Sequence, residues 1–242
     1  MSIKQKSLYN KIWRNRPYFE DFITRSIYHS NAIEGNTISY AETYAITFND
    51  NSLKINATPR ELYEAINLKY AFHYVLDHLN DPLSLNMIKN IGILLNKNIS
   101  EINGFRTTSV YIRGAEHLPP NAADVPRLLL EVLHQYQDSE KELFLRIAQF
   151  HIAFERIHPF ADANGRTGRI LITKELLAHN FAPIVIPLDE RARYMELLAK
   201  QNTDGLASFL KNLNKFELDR MQKFDLKIQQ PPLFQDPPIN IP

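Results

Sequence analysis

The chain has no cysteine, which excludes disulfides and thiolate metal sites. It has only seven glycines in 242 residues. That disfavours a glycine-rich dinucleotide loop of the Rossmann type, and no G-x-x-x-x-G-K-[ST] run occurs. Formal charge is nearly balanced, at +1, so bulk electrostatics gives no expectation of a nucleic-acid or membrane partner. No uncharged apolar run approaches the ~18 residues that a membrane span needs. The first residues, Met1 to Ser7, lack the apolar centre of a secretory signal. The expectation from these absences is a cytoplasmic protein. What remains is ordinary globular composition, 44% hydrophobic and 23% charged, in a chain long enough to bury a core without staples.

Most of the chain reads as helix. Residues 8–34 carry scattered apolar positions, and Gly35 after Glu34 is a helix stop. Ser39 to Glu42 has capping-box spacing. Thr58-Pro-Arg-Glu61 is a stronger start, joining an N-cap, a proline at the first helical position and a glutamate at the third. A helical stretch covers 84–100. Arg106 to Ile112 is then rich in β-branched residues and is followed by Arg113-Gly114 and Pro119-Pro120, which reads as a small β-hairpin. Helices resume near Val125–Tyr136. Ser139 to Glu142 again has capping-box spacing, ahead of a helix that sets Leu143, Ile147, Phe150, Phe154 and Ile157 near one face. Pro159 ends it, and another helix runs from about Gly165 to His179. Asp189 is a candidate cap for a helix through Lys200, and a last helix spans about 205–225. The tail beyond Gln229 is rich in proline and reads as extended or disordered. The fold class is all-α with a small hairpin.

Chemistry concentrates between His158 and Arg169. That stretch holds an imidazole, a carboxylate, an amide, glycines and two guanidinium groups, at the start of a helix. A helix N-terminus presents free N–H groups and favours anions. Arg166 and Arg169 share one helix face and suit two phosphates. Asp162 is a hard oxygen ligand for Mg²⁺ or Mn²⁺, and His158 can take a proton near neutral pH. Each residue alone has a plainer account: a packed helix end, a solvated arginine, a good turn.

The segment resembles the Fic family motif H-x-F-x-[D/E]-G-N-G-R-x-x-R at His158, Phe160, Asp162, Asn164, Gly165, Arg166 and Arg169. Chance agreement at seven positions is on the order of one in a million. Ala163 stands where glycine is usual, a mild change by volume. Gly104-Phe-Arg106, Val110-Tyr-Ile112 and Leu118-Pro-Pro120 resemble the family's flap and its approach, and Arg191 to Tyr194 with Asn202 resemble the segment over adenosine. The resemblance implies transfer of AMP from ATP to a Ser, Thr or Tyr hydroxyl of a target protein. His158 would be the base and Asp162 the metal ligand. Ala163, Asn164, Gly165, Arg166, Thr167, Gly168 and Arg169 would hold the phosphates, with Tyr194 and Asn202 at the nucleoside. Val110, Tyr111, Ile112 and Arg113 would dock the target by strand pairing. On this reading 1–83 is an N-terminal helical region, 84–225 the catalytic core and 226–242 a tail.

Ser30-Asn-Ala-Ile-Glu34-Gly35 resembles the family's inhibitory motif, here on a helix of about 22–35 and N-terminal to the core, as in the class II arrangement. A carboxylate at a helix C-terminus is locally unfavourable, which calls for a cationic partner. The resemblance names Arg169, with Glu34 in the place of the γ-phosphate and the isolated protein nearly inactive. Removal of AMP by the same site is a further activity that the resemblance allows. Three alternatives stay open: another transferred group on the same fold, a non-catalytic ATP-binding interaction protein, and a metal hydrolase built on His158 and Asp162. The target protein and the modified residue are not legible. Self-modification near Tyr40, Tyr44 or Thr47 and a homo-oligomer also stay open.

Overall fold

A computed structural model describes residues 11–48, 54–112, 117–226 and 230–231. Among them are nine α-helices, a further helical stretch at 11–14 and no strand. In chain order these are α1 Arg16–Ile33, α2 Tyr40–Phe48, α3 Pro59–Asp77, α4 Leu85–Asn96, α5 Val125–Gln137, α6 Leu143–Ile157, α7 Asn164–Ala178, α8 Arg191–Ala199 and α9 Thr203–Lys223. Short 3₁₀ turns precede α5 and α8 at Ala122–Asp124 and Leu188–Glu190. α6 packs against α5, α7 and α9, while α1, α2 and α3 form a second layer that meets α7 through α3 and the end of α1.

Local chemistry explains most helix starts. Thr58 accepts the Glu61 N–H, the Glu61 carboxylate accepts from Thr58, and Pro59 opens α3. Ser39 and Glu42 exchange the same pair of bonds at the start of α2. Residues 11–14 are also helical, but the helix is interrupted before α1 at Asn15, which turns its side chain back to accept the Tyr18 N–H at 3.1 Å. Two predicted caps are not used. Glu142 caps α6 by accepting from Phe144 N–H, and Ser139 accepts from Lys141 instead, so the box does not close. Asp189 lies within a 3₁₀ turn and Glu190 precedes α8 without a side-chain cap bond.

The predicted hairpin is also absent among the described residues. Residues 106–112 and 117–120 form no ladder, and the turn at 113–116, with Arg113, lies outside the described residues. The β-branched run favours an extended backbone without supplying a partner, and Pro119 and Pro120 have no N–H to donate across. Most of the proline-rich tail likewise falls outside the described residues.

α7 sets the problem that the site solves. It is buried on almost every side, yet it carries Asn164, Arg166, Arg169, Lys174 and Glu175. Buried charges must be paired. At its far end Lys174 Nζ donates to Glu175 Oε1 and to the Asp81 carbonyl, both at 2.7 Å, and the Tyr136 hydroxyl donates to Glu175 Oε2 at 2.5 Å. At its near end the partners come from α1, α3 and the loop. Because α3 supplies one of those partners, its N-terminal box bears on the site. Thr58→Ala is expected to lower the unfolding free energy by about 1 kcal/mol, measured by urea denaturation.

Candidate active site

α6 ends at Ile157, and His158 leaves it in the left-handed region with φ 50° and ψ 62°. The turn is clamped by Arg106. Its backbone N–H donates to the Pro159 carbonyl at 2.8 Å, Nε to the His158 carbonyl at 2.8 Å and Nη2 to the Ile157 carbonyl at 3.3 Å. A cation at the carbonyl end of a helix is also favoured by its dipole. Nη2 further reaches the Pro120 carbonyl at 2.6 Å, tying both ends of the flap segment to this turn. Phe160 is fully buried and faces Phe105 at 5.5 Å between ring centroids. It fits because residue 92 of α4 is glycine: a Cβ there would lie 2.2 Å from Phe160 Cε1.

Asn164 braces the loop from inside. Its Oδ1 accepts from Phe160 N–H and its Nδ2 donates to the Phe160 carbonyl, both at 2.9 Å. Oδ1 and one Nδ2 hydrogen are thus engaged within the loop, and the second Nδ2 hydrogen is left over. Thr167 is fully buried and donates to the Ala163 carbonyl, while Gly168 packs over His151 and Glu155. Ala163 takes φ +67°. An L-residue there costs about 1–2 kcal/mol relative to the right-handed helical region, so the departure from glycine is a matter of backbone strain more than of volume.

The two arginines of α7 meet separate carboxylates. Arg166, only 2% exposed, lies between Glu64 and Asp162, at 3.4 and 3.3 Å. Arg60 closes the group by pairing with both Glu64 and Asp162. Arg166 Nε and Nη1 are buried without a hydrogen-bond partner. Arg169 donates from Nε to Ser30 Oγ at 2.9 Å and from Nη2 to the Ser30 carbonyl at 2.8 Å and to Glu34 Oε1 at 2.7 Å. Burial opposes its charge, but the attraction of Glu34, with Tyr194 and Glu155 behind it, raises its pKa above the ordinary arginine value. Glu34 reaches this far because residue 165 is glycine: a Cβ there would lie 2.3 Å from Glu34 Oε1. The carboxylate thus occupies the first turn of α7, where a helix N-terminus attracts an anion.

The end of α1 is latched by its surroundings. Gly35 takes φ +95°. Asn36 Nδ2 donates to Glu64 Oε2 at 2.8 Å, and Arg191 Nε donates to the Ile33 carbonyl at 2.8 Å. His158 lies across the loop from this group. Burial lowers its pKa below the ordinary histidine value and Arg106 adds to the effect, against opposing contributions from the Glu155 carbonyl, Glu34 and Asp162.

The remaining candidates are distributed unevenly. Tyr194 is fully buried and its hydroxyl meets His151 Nε2 at 2.6 Å, so it is part of the wall behind Arg169. Asn202 caps α9 by accepting the Gly205 N–H at 2.8 Å. Tyr111 is 82% exposed, with Val110 and Ile112 partly covered beside it. Arg60, Glu64 and the clamp function of Arg106 were not anticipated. Glu64 has no local sequence signal, being an ordinary polar position on α3. Arg106 is flagged by sequence only as a neighbour of Gly104 and Phe105.

Residues 82–176 match the model of the Fic/DOC family. A protein named protein adenylyltransferase Fic from Culex quinquefasciatus is 28% identical over 195 residues, which is 76% of this chain and 38% of that protein. One of the same name from Drosophila persimilis is 30% identical, over 76% of this chain and 37% of that protein. The chain therefore spans well under half the length of these relatives. Among solved structures, a Fic domain containing signaling protein from Bacteroides thetaiotaomicron aligns with TM-score 0.77 and 19% identity, covering 93% of this chain and 99% of that one. Fic-1 from C. elegans aligns with TM-score 0.72 and 24% identity, covering 92% and 69%.

The clamp carries its own test. Arg106→Ala is expected to cost about 3 kcal/mol in urea denaturation, because it leaves buried carbonyls without a donor. Arg106→Lys should recover less than half, since an ammonium cannot reproduce the planar fork.

Proposed function

Because this chain belongs to the Fic/DOC family, we propose that it is a protein adenylyltransferase, moving AMP from ATP to a hydroxyl of a target protein, and that Glu34 restrains it. The observation that carries the reading is the arrangement at the start of α7: two buried guanidinium groups with unmet donors, and the half-buried imidazole of His158 on the loop that leads into them. The names of the relatives supply the transferred group.

In the reaction, the target oxygen attacks the α-phosphorus of ATP as His158 takes its proton. The bond from the α-phosphorus to its bridging oxygen breaks, and pyrophosphate leaves. Arg166 and Arg169 bear the phosphate charge, and the N–H groups at the start of α7 add fixed dipoles. Their positions are set in advance by the Arg106 clamp, the Phe160 anchor and the Asn164 brace, so little reorganisation is left for the transition state. Asp162 fits a divalent cation. It is a single carboxylate, its side chain one-third exposed, and no cluster of three or more acidic or histidine ligands exists among the described residues. Mg²⁺ commonly takes one or two carboxylates and completes its shell from phosphates and water. When bound it would neutralise phosphate charge. Arg60 and Arg166 would then have to share Asp162 with it. The flap residues Val110 to Ile112, of which Tyr111 is exposed, would receive the target as an added strand.

Glu34 competes for Arg169. With its carboxylate on the first turn of α7, a triphosphate cannot bring its terminal phosphate onto the same guanidinium. Glu34→Gly frees the site. With Mg²⁺ and ATP labelled on the α- or γ-phosphate, protein-bound label is expected from α-labelled ATP only, at least tenfold greater for Glu34→Gly than for wild type, and lost in Glu34→Gly/His158→Ala. Label from γ-ATP would make the protein a kinase instead. Equal labelling of wild type and Glu34→Gly would remove the restraint from the reading.

Proton transfer gives a second test. A base must be neutral to act, and burial lowers the His158 pKa from 6.5. The kcat/KM of Glu34→Gly should therefore fall only in acid, through a pKa below 6.5, and stay flat from neutral pH upward. Measuring kcat/KM from pH 5 to about 8.5 checks this.

A further inference from the structure

Behind Arg169 lies a set of buried polar groups that the transfer reaction does not use. His151 and Glu155 are one turn apart on α6, with His151 Nε2 3.8 Å from Glu155 Oε1. Gly168 of α7 passes directly over them: a Cβ there would lie 2.5 Å from His151 Cε1 and 2.6 Å from Glu155 Oε1. The next residue is Arg169. His151 is held by the Tyr194 hydroxyl at 2.6 Å. Three atoms in this group are buried without a hydrogen-bond partner: His151 Nδ1, Glu155 Oε1 and Arg169 Nη1. An unpaired carboxyl oxygen over Gly168 and an unpaired guanidinium nitrogen over Gly165 therefore lie about one turn apart along α7, on residues whose charges act on each other. Such orphans are rare in folded proteins and call for an explanation.

The only anion bonded to Arg169 among the described residues is Glu34, which lies over Gly165, whereas Glu155 Oε1 lies over Gly168. When Glu34 gives way, a guanidinium buried this deeply cannot stay uncompensated. We propose that Glu155 is a reserve counterion for Arg169, a positioning residue that takes hold of the guanidinium when Glu34 releases it and keeps it facing the phosphate site. This rests on the reading of Glu34 as a displaceable partner of Arg169.

The groups facing Glu155 are His151 on its own helix, Arg169 on α7, Tyr194 on α8 and Glu34 at the end of α1. His151 is kept neutral, since burial takes its pKa down to about 3. Burial pushes the Glu155 carboxyl up to about 8, with Arg169 pulling it down and Glu34 pushing it up. While Glu34 is seated, Glu155 is therefore protonated at neutral pH. Departure of Glu34 removes the repulsion and leaves the attraction, which lowers the Glu155 pKa and favours its ionised form. A carboxyl raised in the folded state loses stability as pH rises from its unfolded value toward its folded one. With Glu34 absent that loss is smaller.

The test is a double-mutant cycle on urea unfolding, without nucleotide, of wild type, Glu34→Gly, Glu155→Gln and the double variant at pH 8. Each single variant retains one carboxylate for Arg169. The double variant is expected to unfold with an equilibrium constant at least tenfold larger than the product of the single effects. A product within twofold of the observed value would overturn the proposal. A second measurement covers the case in which Glu155→Gln fails to fold. Between pH 7 and about 8.5, above the range where His158 titrates, the stability gap between wild type and Glu34→Gly should narrow as pH rises. A constant gap would overturn the proposal. The cycle reads stability alone. A normal coupling with no gain of transfer in Glu34→Gly would sink the restraint reading and leave the counterion standing, whereas the reverse result would do the opposite.

Discussion

A guanidinium buried under the first turn of a helix must always have an anion, and this requirement at Arg169 organises the site. α7 is enclosed because α6, α3, α4 and the end of α1 all pack on it. That enclosure makes its N-terminus a strong anion site and makes an empty site costly. The structure meets the requirement from within, through Glu34. On the proposed function the substrate meets it in turn, which makes binding an exchange of one anion for another and not the filling of a void. Arg166 obeys the same rule with Glu64 and Asp162. The site thus comes with internal stand-ins for the charges it is built to hold.

How much of this was legible follows from the range of each interaction. Helix boundaries set by neighbours in sequence were readable, as with Thr58 to Glu61 and the stop at Gly35. So was the chemistry of the His158 to Arg169 segment, where every functional type lies on one short stretch. The pairing of Glu34 with Arg169 was reachable only through family resemblance, since the local argument called for a cation without saying which. The misses have physical causes. Ser139 and Glu142 had the right spacing, but the helix begins at Leu143, and a box needs its first residue at the cap. The hairpin was read from strand propensity, which describes one chain and not the partner it needs. Arg106, Glu64 and Glu155 act across elements far apart in sequence, so nothing in their neighbourhoods announces them. That Tyr194 would stand in the wall behind Arg169 and Asn202 would cap α9 was likewise not announced by their residue types.

The loop also shows strain placed where position matters. His158 and Ala163 both have positive φ, and each is flanked by a bond that fixes it: the Arg106 clamp at the first and the Thr167 hydroxyl on the Ala163 carbonyl at the second. Such conformations persist only where the surroundings over-determine them. The imidazole is therefore presented by backbone geometry, and its Nδ1 is held at 3.3 Å from the Glu155 carbonyl.

The missing Cβ at Gly165 has a quantitative consequence. It lets a carboxylate from the same chain reach the seat at α7, and a tethered ligand competes at a local concentration fixed by its tether, commonly millimolar or above. Dilution of the protein cannot weaken such a competitor. On the proposed function, nucleotide has to outbid a constant, so saturation should respond to whatever loosens the end of α1 from Asn36 and Arg191 far more than to the amount of protein present. On that reading the control variable is the stiffness of a tether.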